Sequence, residues 1–314
     1  MGGLMKYLSD LAIQHLFDYR WSDVIETVES AFLDSTVDMV PKIYLSSGNN
    51  EGGDFRAMPA ALGDFIGVKW IGVFPGNSKH NLPTTIGTYL LNDRWTGKPL
   101  LAIDCTTLTA YRTAATSAIA AKYCSSKKVG DVAFIGCGRQ AYYHALAYQS
   151  IFGDFRVHLN DTNMDTAVKL ASKLKRRGLT DIKFSHDIKD TVRKADIITT
   201  LTPSTKAYLN VIDIPSHCHI NAVGADAVGK RELMPNVIDG AADIVCDDPA
   251  QAFHSGELQY NDWPHLDTHT LRHVIKNHKD TQLSKGISVF DSTGVAIEDI
   301  AVAVLVWDLE MFLD

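Results

Sequence analysis

The period of the apolar positions changes along the chain, and each change marks a different kind of element. Residues 7 to 33 read as two short helices. The second runs from about Trp21 to Leu33 and gathers Val24, Ile25, Val28 and Phe32 on one face. Alternation then takes over. Pro41 to Leu45 reads as a strand, and a polar turn over residues 48 to 53 leads to Asp54–Pro59 and Phe65–Val73. Further strands are predicted at Thr85–Leu91 and Pro99–Asp104, with a turn from Asn92 to Gly97. The first third is therefore α+β. An Ala-rich helix from about Thr109 to Cys124, with Arg112 near its start, follows it.

From Asp131 onward, short unbroken apolar runs alternate with helical segments. The runs are Val132–Ile135, Phe155–Asn160, Ile182–Ser185, Ile197–Leu201, His219–Val223, Ile244–Cys246 and Ile287–Phe290. Helices are predicted at Tyr142–Ile151 and at Met164–Arg177, the latter stopped by Gly178. Strands this apolar are buried on both faces, and their alternation with helices implies an α/β fold with a doubly wound parallel sheet. A last helix, Ala296 to Phe312, spaces Ile297, Ile300, Val304 and Trp307 for one buried face.

Within this frame the stretch Asp131-Val-Ala-Phe-Ile-Gly-Cys-Gly-Arg-Gln-Ala141 carries chemistry. Gly136, Gly138 and Ala141 stand at G-x-G-x-x-G/A spacing between a strand and a helix. Gly136 permits the tight turn, Gly138 admits a pyrophosphate close to the backbone, and Ala141 lets the helix pack on the strand. The helix N-terminus then faces the phosphates. The next strand ends in Asp161, whose carboxylate can accept hydrogen bonds from a ribose diol and repels a 2′-phosphate. A Rossmann-type dinucleotide site follows, with NAD(H) favoured and NADP(H) possible.

Composition narrows the remaining choices. The 314 residues are 46% hydrophobic and 21% charged, values of an ordinary globular protein, and the net charge of −7 argues against nucleic acid as a partner. No apolar run approaches the roughly 20 residues of a membrane span. The N-terminus lacks a signal peptide's apolar core, and Lys6 stands where a myristoylation signal prefers Ser or Thr. Five scattered cysteines, with no C-x-x-C pair, fit reduced thiols in a cytoplasmic protein and no metal site.

Four cations and one acid in the chain are candidates for a site. Lys69 interrupts the apolar strand Ile66-Gly-Val-Lys-Trp-Ile71, so it either reaches solvent from an edge strand or is held by an anion. Arg56, Arg112 and Lys42 read equally well as surface cations or as anion binders. Asp226 ends His219-Ile-Asn-Ala-Val-Gly-Ala-Asp226, just past the carboxyl end of a strand. Ligands of open α/β sheets sit there, although an N-cap role fits the residue as well.

Taken in order, these pieces resemble the ornithine cyclodeaminase/μ-crystallin family over nearly the whole chain. The resemblance rests on Arg56-Ala-Met-Pro-Ala60, Gly67-Val-Lys-Trp70, Phe74-Pro-Gly-Asn77, Arg112-Thr-Ala-Ala115, Phe134-Ile-Gly-Cys-Gly138, His219 to Asp226, Gly229-Lys-Arg-Glu-Leu233 and Phe290-Asp-Ser-Thr-Gly294. It implies a substrate-binding and dimerisation domain of residues 1–112 with 296–314, and an NAD(P)-binding domain of residues 113–295. A homodimer is implied, built through the first domain and acting on a small amino or imino acid.

By the same resemblance, Lys42, Arg56, Lys69 and Arg112 bind substrate, and Asp226 and Lys69 are the catalytic pair. Cofactor contacts are implied from Thr84, Arg112, Thr113, Gly136, Gly138, Gln140, Ala141, Asp161, Thr202, Val223, Gly224, Asp226, Ser292 and Gly294. Cyclodeaminases of the family carry Glu where this chain has Arg56, which would repel the distal ammonium of ornithine. μ-Crystallin lacks the counterpart of Asp226. Ala227-Val228 departs from the Gly-Pro of the alanine dehydrogenase branch. The expectation is an NAD(P)H-dependent reductase of a small α-imino acid. Δ1-Pyrroline-2-carboxylate (a cyclic ketimine) giving L-proline comes first and L-alanine dehydrogenase second. Ornithine cyclodeaminase and a non-catalytic μ-crystallin-like binding protein are further alternatives.

Overall fold

The structure, a computed structural model, describes residues 5–48, 52–125, 128–260, 266–278 and 286–312. The middle of the expected turn over residues 48 to 53 lies outside the described residues, as do Met1 and Gly2. The chain divides into two compact units, Met1–Thr113 with Val295–Asp314, and Ala114–Gly294.

The first unit opens with β1 (Lys6–Leu8), α1 (Asp10–Phe17) and α2 (Trp21–Leu33). Then come β2 (Asp38–Met39), β3 (Ile43–Ser46), β4 (Asp54–Leu62), β5 (Phe65–Val73), β6 (Thr85–Asp93) and β7 (Pro99–Asp104). These form one sheet in the order β1-β7-β6-β5-β4-β2, with β3 also paired to β4. The three-residue strand β1 was not expected from sequence, being too short to show alternation. Helix α3 (Cys105–Cys124) follows β7 without a linker and starts four residues before the expected Thr109. Its first turn is fixed by Asp104, whose carboxylate accepts from Thr106 N (3.1 Å) and Thr106 Oγ1 (3.0 Å). Arg112 therefore lies well inside the helix and not near its start.

The second unit adds β8 (Asp131–Ile135), α4 (Arg139–Phe152), β9 (Arg156–Asn160), α5 (Met164–Lys175), β10 (Ile182–Phe184), α6 (Ile188–Val192), β11 (Ile197–Thr200) and β12 (Cys218–Ala222). It continues through α7 (Pro235–Asp239), β13 (Asp243–Cys246), α8 (Pro249–Ser255), β14 (Thr268–Thr270), α9 (Leu271–Asn277) and β15 (Ile287–Asp291). The sheet is wholly parallel, in the order β10-β9-β8-β11-β12-β15-β13-β14. The strand order reverses between β8 and β11, so the glycine-rich loop after β8 lies at the topological switch point of a doubly wound fold. One face of this sheet is sealed by an aliphatic core that includes Ala133, Ile198, Ile220 and Val289. The chain then returns to the first unit as α10 (Ala296–Met311), which packs on β4, β5, β6 and α2.

In the first sheet, one face is covered by α10. It carries Arg56 and Met58 of β4, Gly67, Lys69 and Ile71 of β5, and Tyr89 and Leu91 of β6, as their register requires. The opposite face exposes a run of large apolar side chains, among them Tyr7, Ile43, Leu45, Ile66, Trp70 and Ile86. No helix among the described residues is long and apolar enough to cross a membrane. All five cysteines are free thiols.

Candidate functional site

In the first unit the sheet and α10 bring two of the expected substrate binders onto a single acid. Lys69 sits on β5, an interior strand between β4 and β6, and is 1% exposed, so the edge-strand alternative is ruled out. Its Nζ donates to Asp299 Oδ1 (2.9 Å) and lies 2.8 Å from Oδ2. Arg112 donates through Nε to Asp299 Oδ1 (3.1 Å) and through Nη1 to Glu298 Oε2 (2.5 Å). Glu298 Oε1 accepts Val295 N (3.2 Å), which fixes the first turn of α10. Two cations and two acids balance, so the cluster is formally neutral. Burial lowers the Lys69 pKa, the neighbouring Arg112 lowers it further, and Asp299 opposes both. An ammonium so placed gives up its proton more readily than a surface lysine.

The other expected substrate residues lie elsewhere in this unit. Arg56 is buried, which excludes a surface role. Its Nε donates to Asp54 Oδ1 (2.7 Å), and its guanidinium lies over the Tyr44 ring at 5.3 Å. Lys42 is half-buried and precedes β3. Thr84 is exposed next to the start of β6, where its carbonyl accepts Phe74 N (2.7 Å). Thr113 turns its hydroxyl back to Thr109 O (2.8 Å).

In the second unit the expected cofactor residues cluster at the carboxyl ends of the strands. Gly136 has φ +93°, and a Cβ there would lie 2.8 Å from Leu201 O, so both conformation and space demand glycine. Gly138 caps α4 with no side-chain hydrogen bond, and a Cβ built on it meets nothing within 4 Å, which leaves its backbone open to a ligand. Ala141 is fully buried. Gln140 Oε1 is buried without a hydrogen-bond partner among the described residues. A helix N-terminus and an open glycine fit a bound pyrophosphate; the Gln140 carbonyl oxygen is an acceptor and would need a donor such as a hydroxyl. Asp161 joins this loop, its Oδ2 accepting Cys137 N (2.7 Å) while Oδ1 accepts Asn163 N (2.8 Å).

Beyond β11 and β12, Thr202 and Gly224 are held by one side chain, Glu232. Val223 N donates to Thr200 O (3.1 Å), and Ser292 N to Ala222 O (2.9 Å), so the segments after β12 and β15 run side by side. Gly294, at φ +76°, donates to Asp247 Oδ2 (2.5 Å). Asp226 starts no helix, so the N-cap alternative does not apply. Its carboxylate pairs with Lys230 at 2.5 Å, and both side chains keep partial exposure.

Sequence reasoning missed Glu298, Asp299, Glu232 and Lys230. The first two were visible as adjacent acids in an otherwise apolar helix, and the last two lie inside the motif Gly229 to Leu233. Among the described residues, no group of three or more His, Cys, Asp or Glu could hold a metal ion.

Comparison with known proteins shows the family and the fold. An alanine dehydrogenase of Archaeoglobus fulgidus is 39% identical over 276 residues, which cover 86% of this chain and 84% of that protein. An archaeal alanine dehydrogenase dimer solved with bound NAD superposes with a TM-score of 0.90 at 35% identity, covering 98% of this chain and 96% of the other. The Thermococcus litoralis Δ1-pyrroline-2-carboxylate reductase, solved with NADH and L-proline, gives 0.89 at 26% identity and covers 98% of each chain. The model of the ornithine cyclodeaminase/mu-crystallin family matches residues 5–311. The chain belongs to the ornithine cyclodeaminase/mu-crystallin family.

Proposed function

We propose that the protein is an NAD(P)-dependent oxidoreductase that interconverts a small α-imino acid and the corresponding L-amino acid. The observation that carries this reading is the meeting of Lys69 and Arg112, from different elements, at Asp299 beneath α10. Family membership supports it, and so do the nucleotide-bound relatives. Residues 1–112 with 296–314 would bind substrate and residues 113–295 the dinucleotide. When bound, the dinucleotide supplies or accepts the hydride.

The protein's own part is positioning and charge. Lys69 and Arg112 anchor the substrate carboxylate, with Arg56 and Lys42 as further substrate contacts; a guanidinium has five N–H donors and can serve an acid and a substrate together. Asp226 stabilises the iminium charge and exchanges its proton, with Lys69 as second donor, its ammonium already weakened by burial. Asp161 accepts the adenosine ribose diol, which favours NAD(H) over NADP(H). The remaining cofactor contacts would come from Thr84, Thr113, Gln140, Thr202, Val223, Gly224, Ser292 and Gly294. The exposed apolar face of the first sheet, with Ile66 and Trp70 near its middle, is the surface through which a homodimer would form. The cytoplasm is the proposed compartment, and the five free thiols support it.

Two substrates stand at the head of this class. A cyclic ketimine such as Δ1-pyrroline-2-carboxylate arrives with its C=N bond formed and needs no ammonia site. The imine of pyruvate and ammonia is favoured by the greater identity to the archaeal alanine dehydrogenase structure, 35% against 26%. NADH oxidation measured with each compound separates them. Oxidation with neither, despite tight NADH binding, would establish a binding role. Ornithine converted to proline and ammonia without net NADH change would establish a cyclodeaminase. Asp226→Asn should lower turnover by about 10²–10⁴-fold while NADH affinity stays within about twofold of wild type, as it would where only the proton step is lost. Retained turnover would remove Asp226 from the chemistry.

A further inference from the structure

Glu232 is fully buried, and among the described residues its hydrogen-bond partners are neutral donors. Oε1 accepts Thr202 N (2.7 Å), Thr202 Oγ1 (2.6 Å) and Tyr208 OH (2.7 Å), while Oε2 accepts Gly224 N (2.9 Å). Thr202 follows β11 and Gly224 follows β12, neighbouring strands beside the switch point. The two segments touch: a Cβ on Gly224 would collide with Thr202 O and with the Glu232 carboxylate. The strut is itself anchored. Glu232 N donates to Glu257 Oε1 (2.7 Å), and Glu232 O accepts Tyr208 N (2.9 Å) and Leu209 N (3.0 Å). A buried carboxyl without a facing cation is costly, and burial raises its pKa, so four donors converging on it mark a built feature.

We propose that Glu232 is a positioning residue for the nicotinamide end of the dinucleotide, holding the segments after β11 and β12 at one fixed separation. The proposal rests on the reading of the second unit as the dinucleotide site. The carboxylate is specifically required. Each of its oxygens holds one backbone N–H, and an N–H cannot reverse its direction as a hydroxyl can. An amide of the same size must turn an NH2 group toward one of them, so one segment is released. The adenosine and pyrophosphate end, at the β8–α4 loop and Asp161, shares none of these bonds.

The test compares two probes, NADH and ADP-ribose, the latter lacking only the nicotinamide. Binding is measured by fluorescence and calorimetry on wild type and Glu232→Gln. Loss of one backbone hold should weaken NADH about tenfold, the effect of one hydrogen bond of ordinary net strength, and leave ADP-ribose within about twofold, since it makes no use of that hold. Unchanged NADH affinity, or equal weakening of both probes, would overturn the proposal. Should Glu232→Gln fail to fold, Tyr208→Phe decides. It keeps the carboxylate and removes one donor, and should weaken NADH about threefold with ADP-ribose unchanged, as for a partial loss of the same network; no change in NADH binding overturns the proposal. A wild-type protein that binds neither probe would sink the dinucleotide reading and this inference with it. A wild-type protein that binds both probes, with variants that do not weaken NADH selectively, would sink this inference alone.

Discussion

In the first unit the buried acids Glu298 and Asp299 face Arg112 and Lys69. In the second, the buried acids Glu232, Glu257 and Asp291 face backbone N–H groups and hydroxyls, with Asp291 Oδ1 left without a hydrogen-bond partner among the described residues. Glu257 accepts Glu232 N (2.7 Å) and Leu233 N (3.1 Å), and Asp291 Oδ2 accepts Leu258 N (3.3 Å). The two arrangements answer the same cost in different ways. A charge matched by a charge depends wholly on its partner, because deletion leaves an ion stranded in low dielectric. A carboxyl satisfied by neutral donors has nothing to strand, yet its proton is held more tightly. Burial, with help from neighbouring acids, pushes both Glu257 and Asp291 up to about 8.

The largest expected effect follows from the first arrangement. Asp299→Ala removes the acid that both Lys69 and Arg112 address, and should cost about 3–5 kcal/mol of stability in urea unfolding. Adding Lys69→Met to that variant should recover part of the loss, since the stranded ammonium goes too. A cost under about 1 kcal/mol would place the cluster with exposed pairs and break the contrast.

The second arrangement predicts a pH dependence of defined sign. An acid whose folded pKa lies above its unfolded value binds its proton more tightly when folded. Its stabilising contribution is complete below the unfolded value of 3.8 and is lost as pH rises through about 8. Asp291→Asn keeps an acceptor for Leu258 N and cannot ionise. The variant should match wild type below about pH 3.8, pull ahead progressively as pH rises from there to about 8, and exceed it by about 2 kcal/mol near pH 8.5, less than the full shift implies because the unfavourable state relaxes. Equal pH dependence of the two proteins would show that Asp291 does not titrate in this window.

Most of the fold was legible because its signal is local. Period-two runs gave β4 to β7, and unbroken apolar runs between helices gave the parallel sheet. The glycine spacing at 136 to 141 located the loop at the switch point. The start of α3 was hidden because β7 passes into it without turn residues, so nothing marked the change of period. The ion cluster was hidden for a different reason. Glu298 and Asp299 stand out as adjacent acids in an apolar helix, but acids in the first turn are ordinary, favoured there by the helix dipole, so they did not point to a covering sheet. Arg112 and Lys69 were visible as anomalies, but their partners come from 186 or more residues away, beyond the reach of any periodicity. Glu232 lies inside the motif Gly229 to Leu233, and its role appears only once β11 and β12 are neighbours.

One group in the first unit fits neither arrangement and gives the smallest effect. Tyr89, opposite Lys69 in register, is fully buried, and its hydroxyl finds no hydrogen-bond partner among the described residues. The hydroxyl occupies space that Gly67 leaves open, since a Cβ at Gly67 would come within 2.5 Å of it. Burial first, and then the charge of Asp299, raises its pKa well above that of a free phenol, so it stays a neutral donor. A buried donor without an acceptor destabilises the fold, and removing it should help where removing Asp299 harms. Tyr89→Phe should therefore gain about 0.5–1 kcal/mol in urea unfolding, a fraction of the full penalty for an unmet polar group. A loss of about 1 kcal/mol or more would show that the hydroxyl is engaged, by ordered water or otherwise, and belongs with the groups satisfied by neutral partners.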